Sequence, residues 1–322
     1  MRHATTCALS AFALLLAACS GAEDAATPAD ASEDAATAPR ATDATGTEIE
    51  LSAPAERIVC LDGACVDALS TLGLEPVGST QFGMVTNERF YGPETTITQV
   101  AGSFFEPYVE SVTEAEPDLV LATAGVHADV AAALGDTPVF LQSIADLDAA
   151  RDYLRAVGDL TGHRDVAEAA IDDFDATLEA YAAASPGDRV AVTMYGSDLN
   201  FGIDAADSII GRTLAEVTPY PWPEAGDNGF LDFSVERLLE VDPDVIFVQT
   251  FAFDDSAAPL SEQLADNALW SELTAVRSGA VHEVETDWFA TGRSVKTMSL
   301  VLDTVMPLLY PEAIPEPLSP WS

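Results

Sequence analysis

Val109–Thr123 reads VESVTEAEPDLVLAT, and Val235–Gln249 reads VERLLEVDPDVIFVQ. Aligned without a gap, the two segments share Val, Glu, Glu, Pro and Asp, and most other positions keep their character. Each copy reads as a short helix with apolar residues three to four apart, then a Pro-Asp corner, then an apolar strand. Pro117 and Pro243 end the helices, because proline lacks the next helical N–H and restricts the residue before it. LVLA and VIFV are apolar on both faces, as the buried centre of a parallel sheet requires. The separation of the copies is too long for a solenoid repeat. It predicts two similar α/β lobes, with a small-ligand cleft between them.

The chain of 322 residues is long enough for two cores. It has 13 Lys plus Arg against 54 Asp plus Glu, a formal charge of −41. Such a surface repels nucleic acid and anionic membrane, which need basic patches. The acidity serves solubility or a salty medium, or else biases the protein toward neutral or cationic ligands or a basic partner.

Residues 1–18 read as a signal peptide, with Arg2 and His3 followed by an apolar run too short to span a membrane as a helix. Residues 19–45 are rich in Ala, Asp, Glu, Thr and Pro and predict a disordered tether. The N-terminal lobe is expected over 46–162, a linking helix over 163–185 and the C-terminal lobe over 186–322. On the linking helix Val166, Ala169, Ala170, Phe174, Leu178 and Tyr181 are expected to share the buried face. Cys60 and Cys65, in VCLDGAC, are either a disulfide permitted by export or two semi-buried thiols.

Leu16-Ala17-Ala18-Cys19 resembles the bacterial lipoprotein box, which makes Cys19 the expected lipidation site. RIVCLDGACVDALSTLGLEPVGS, both copies of the Glu…Pro-Asp segment, Thr161-Gly162-His163 and Asp287-Trp288 together resemble the solute-binding lipoproteins of ABC importers for iron–siderophore complexes, cobalamin and haem. The resemblance implies two Rossmann-like lobes joined by one long backbone helix, with the ligand cleft between them. It implies an extracytoplasmic protein, lipid-anchored in the cell envelope, monomeric and without a cofactor of its own. Its ligand is expected to be an Fe(III)–siderophore, with cobalamin or haem as the alternative. Glu110 and Glu236 match the glutamates that pair with permease arginines in that family. They also sit where a carboxylate simply favours a helix start.

The cleft is expected to draw on Asp62, Phe82, Phe104, Phe105 and His127 from the first lobe. Tyr195, Phe201, Trp222, Trp288 and Arg293 are expected from the second. Aromatics suit the broad, partly apolar faces of such ligands, and each also has a bland reading as loop packing. Arg293 is placed either to neutralise an anionic complex or to cap a carboxylate. Neither a catalytic motif nor a metal-ligand cluster is legible: G-x-S-x-G, H-E-x-x-H and the P-loop are absent, and His127, His163 and His282 are scattered.

Overall fold

The computed structural model describes residues 38–197, 200–226, 230–250 and 258–322. The expected signal peptide, the expected lipidation site Cys19 and most of the expected tether lie outside the described residues. The folded part begins earlier than expected. Strands β1 (Arg40–Thr42) and β2 (Glu48–Glu50) form an antiparallel hairpin. Its turn closes because the Asp43 carboxylate accepts from Thr45 N, Thr45 Oγ1 and Thr47 N. Composition alone does not separate this polar hairpin from a tether.

The first lobe is a parallel sheet with helices between its strands. Its elements are β3 (Ile58–Cys60), α1 (Gly63–Thr71), β4 (Gly78–Ser79), α2 (Phe82–Thr86), β5 (Thr98–Gln99), α3 (Val109–Glu114), β6 (Leu119–Thr123), α4 (Ala128–Ala133) and β7 (Val139–Gln142). The strand order is β5-β4-β3-β6-β7, every pair parallel. Helix α5 (Leu147–Thr161) follows, with Asp146 capping it through Ala149 N and Gly162 ending it in the left-handed conformation.

Helix α6 (Arg164–Ala184) is the linking helix, 21 residues long, or about 31 Å. Its buried face is Ala167, Ala170, Ile171, Phe174, Thr177 and Tyr181. Val166 and Ala169 point to solvent instead, so the expected stripe is rotated. The i, i+3, i+4, i+7 spacing fits the set centred on Ile171 and Phe174, and Thr177 joins it by donating its hydroxyl to Asp173 O.

The second lobe contains β8 (Ala191–Ser197), β9 (Asn200–Asp204), α7 (Ile209–Ala215), β10 (Phe230–Asp232), α8 (Val235–Val241), β11 (Val245–Thr250), α9 (Leu260–Gln263), α10 (Thr274–Ser278) and β12 (Val281–Glu283). The order β10-β9-β8-β11-β12 matches the first sheet position for position. Here β9 runs antiparallel to both neighbours, so the lobes are similar without being identical. A π-turn at Asp287–Thr291 leads into α11 (Val295–Leu309). Residues 260–273 form only α9 and a 3-10 turn at Trp270–Glu272 rather than one continuous helix. Asn267 separates the two by accepting from Leu269 N and Trp270 N.

Both repeat strands take the central place expected of them. Strand β6 lies between β3 and β7, and β11 lies between β8 and β12, with nearly every residue buried. No helix among the described residues is long and apolar enough to cross a membrane.

Candidate functional site

In a parallel α/β sheet, polar groups collect where the strands end and the loops begin. In the first lobe this edge is built on Asp62, buried at the N-cap of α1. Its Oδ1 accepts from Cys65 N at 2.9 Å. Its Oδ2 accepts from Thr123 Oγ1 at 2.7 Å and from Gln142 Nε2 at 2.9 Å. The ends of β3, β6 and β7 are thereby tied together. The Cys60–Cys65 disulfide closes the turn around Asp62, with its α-carbons 5.4 Å apart. Gln142 Oε1 is buried and unpartnered.

The second lobe has a related pair set deeper in its sheet, because Asp204 ends the antiparallel strand β9 level with the first residue of β10. Gln249 occupies the place of Thr123 in the repeat, and its Nε2 donates to Asp204 Oδ2 at 3.1 Å. Asp204 is half-buried. Desolvation pushes its carboxyl up to about 6, against the opposing pull of the Thr193 hydroxyl, the Arg293 guanidinium and Gln249. Arg293, also half-buried, is therefore near enough to Asp204 to bias its ionisation.

Phe104 and Phe105 stand on the loop that leaves the same edge of the first sheet. Their rings meet edge to face at 4.9 Å, and Phe105 is 74% exposed. Phe82 starts α2 and is half-buried against the core.

His127 differs from the expectation. It is fully buried, with Nδ1 accepting from Thr123 N at 3.0 Å and Nε2 against Phe104 O at 2.6 Å. An N–H on one side and a carbonyl on the other fix the neutral Nε2–H tautomer. His127 therefore clips the Phe104 loop to the end of β6 and has no nitrogen left for a ligand.

Trp222 also leaves the expected set. It is buried, and its indole N–H donates to Ala191 O, at the opposite end of β8 from the polar edge. An indole in a Pro-rich loop reads as exposed, but its N–H found an orphan carbonyl. Trp288 is half-buried, with its N–H toward Thr304 Oγ1 of α11 at 3.3 Å. In the β8–β9 hairpin Tyr195 lies opposite Gly202 and Phe201 lies opposite Gly196. The Tyr195 hydroxyl accepts from Leu231 N, and its ring lies over Gly202.

Thr123, Gln142, Asp204 and Gln249 were not foreseen. Their signal was a single polar residue closing an apolar strand, as in LVLAT, VFLQ and VIFVQ.

Glu110 and Glu236 are exposed in the first turns of α3 and α8. Glu110 borders a hollow of about 520 Å³ lined also by Val109, Thr113, Glu114 and Glu116. Glu236 is held below the usual carboxylate range by its own backbone N–H and the Ser234 hydroxyl.

The two halves touch through named contacts. Asp67 of α1 is buried and accepts from Ser294 N at 2.8 Å, Thr297 N at 3.2 Å and the Thr297 hydroxyl. A residue of the first lobe thus caps α11. Asn87 Nδ2 donates to Asp287 Oδ2 at 2.7 Å.

The model of a periplasmic binding protein family matches residues 58–287. Among curated proteins, the chain is 22% identical to the Fe(3+)-citrate-binding protein YfmC of Bacillus subtilis, over 81% of this chain and 82% of that protein. It is 26% identical to the probable siderophore-binding lipoprotein YfiY of the same organism, over 91% and 93% of the two chains. Among solved structures, the triscatecholate siderophore binding protein FeuA of Bacillus subtilis, complexed with ferri-bacillibactin, superposes with a TM-score of 0.71 at 19% identity, covering 83% of this chain and 97% of that one.

Proposed function

The chain belongs to the periplasmic binding protein family, and from that premise we propose that it is an extracytoplasmic lipoprotein that captures a ferric siderophore and delivers it to an ABC transporter permease. The observation that supports this most directly is the paired polar edge. Each lobe carries an aspartate hydrogen-bonded to a polar residue near the C-terminal end of the repeat strand, Asp62 to Thr123 and Asp204 to Gln249. A ligand between the lobes meets one such edge from each side. Names given to the relatives, for ferric citrate and for siderophores, point to the same ligand class. The role assigned is binding and delivery, with no catalytic step and no resident cofactor. Lipidation at Cys19 would hold the protein at the membrane, and the two lobes act as one monomer.

The test is a titration followed by tryptophan fluorescence, using ferric hydroxamate, catecholate and carboxylate siderophores, haem and cobalamin. Saturable quenching by a ferric chelate at submicromolar concentration supports the reading. Binding of cobalamin or haem alone moves the protein to another ligand of the same family.

Delivery is assigned to Glu110 and Glu236, which offer carboxylates to basic permease residues. In the double variant Glu110→Arg and Glu236→Arg, ligand affinity stays within about twofold and uptake is lost, because the charge at both docking points is reversed. Uptake that survives in a whole-cell transport assay removes that assignment.

A further inference from the structure

Fixed positive charge is nearly missing from the residues around the strand ends. Between Arg57 and Arg151 the chain has one basic residue, Arg89. Its guanidinium donates to Trp321 O at 3.0 Å. The loops of the first lobe at the Asp62 edge therefore carry one cation, and it is turned toward the carbonyl of Trp321. In the second lobe there is no Lys or Arg from residue 238 to residue 276.

The remaining cations of that lobe are committed elsewhere or few. Arg189, Arg212 and Arg277 donate to the carbonyls of Leu309, Asp207 and Glu272. Lys296 is buried beneath the Phe90 ring, 4.9 Å from its centroid, and bonds Ser70. Arg237 lies over Phe233 at 4.5 Å. Arg293 is left near the site, already shared with Asp204. Against it stand Asp62, Asp204 and Asp287.

Ferric chelates differ in charge. Three catecholates give a complex of net charge −3, and hydroxycarboxylates also give anions. Three hydroxamates exactly offset Fe(III), and a pendant ammonium makes the complex cationic. Burying an anion beside carboxylates, with one shared guanidinium to offset it, is strongly unfavourable. A neutral or cationic chelate meets no such penalty. Its amide or ammonium donors also suit Gln142 Oε1, the buried acceptor without a partner beside Asp62. Its aliphatic periphery suits the open Phe104–Phe105 pair.

Resting on the ferric-chelate reading, we infer that the site selects ferric trihydroxamates of zero or positive charge over trianionic tris-catecholates and anionic hydroxycarboxylate complexes.

The test is a competition titration of the protein with four probes: a neutral ferric trihydroxamate, an ammonium-bearing trihydroxamate, a ferric tris-catecholate and ferric citrate. At about 0.15 M NaCl, both hydroxamates bind at least about 100-fold tighter than either anion. Raising NaCl to about 1 M narrows the gap, because screening weakens both the repulsion of the anions and the attraction of the ammonium-bearing probe. Equal or tighter binding of the tris-catecholate or of ferric citrate overturns the inference and leaves the ferric-chelate reading in place. Failure of all four probes overturns both.

Discussion

Asp204 is a residue whose chemistry is set by its surroundings. Burial raises its carboxyl to about 6, from an ordinary value of 3.8. The folded protein then holds this proton more tightly than the unfolded chain. Between about pH 4 and pH 6 the native state binds more protons at this site, so its contribution to stability falls as pH rises. Above pH 6 the cost is complete and constant, and below pH 4 it vanishes. Other carboxylates oppose this trend: Asp207 and Asp242 are held below the usual range by backbone N–H donors. The difference between wild type and Asp204→Asn isolates the effect. That difference is expected to fall by about 1–2 kcal/mol from pH 4 to pH 6 in denaturant melts, discounted because the group is only half-buried. A flat difference would show that the carboxyl is already ionised at pH 4.

His127 makes a second claim at this scale. As a clip between Thr123 N and Phe104 O, it is needed for the shape of the loop rather than for contact with ligand. His127→Ala leaves a buried N–H and a carbonyl without partners, a loss of about 1–3 kcal/mol. Faster amide exchange confined to Thr123 and residues 101–107 is the local signature. Unchanged exchange there with weakened binding would return His127 to the ligand.

At the scale of elements, the Pro-Asp corner explains why the repeat was legible. Glu116 and Asp242, in equivalent positions, are the non-glycine residues with positive φ, 48° and 51°, among those described. Each turns the chain out of its helix into the proline. The next aspartate pins the neighbouring strand. Asp118 accepts from Glu56 N and Arg57 N, both at 2.9 Å, and Asp244 accepts from Val190 N at 2.8 Å. Asp118→Ala is expected to cost about 1 kcal/mol, with faster amide exchange at Glu56 and Arg57 ahead of β3. A stability loss without that local change would mean the carboxylate acts elsewhere.

Helix, corner and strand depend on residues close in sequence, so periodicity and proline reveal them. The polar edge does not. Asp62 meets Gln142 across 80 positions, and Asp204 meets Gln249 across 45. Nothing local marks those pairs except a polar residue at the end of an apolar run. Trp222 misled for the complementary reason: its loop is polar, and the carbonyl that buries it is on β8.

In the whole molecule, the linking helix is only part of what holds the halves in register. Helix α11 packs on α6 and α1, and its start is capped from the first lobe by Asp67. A further close approach is at Gly63, beside Asp62. A Cβ there would lie 2.5 Å from both Cγ2 and the carbonyl oxygen of Thr291. The carbonyl belongs to the backbone of the π-turn, which is packed against α1 and cannot swing aside like the end of a side chain. Gly63→Ala must therefore move α1 against that turn, and with it the spacing of the two polar edges. The expected cost is about 1–3 kcal/mol, together with a loss of ligand affinity of at least about tenfold, because edges held farther apart no longer meet one ligand at once. Gly83 supplies the control. Nothing lies within 4 Å of a Cβ built there, so Gly83→Ala should leave stability within about 0.5 kcal/mol and affinity unchanged. If Gly63→Ala lowers the melting temperature yet binds like wild type, the ligand sits on one lobe alone, and the pairing of Asp62 with Asp204 across the molecule has no part in holding it.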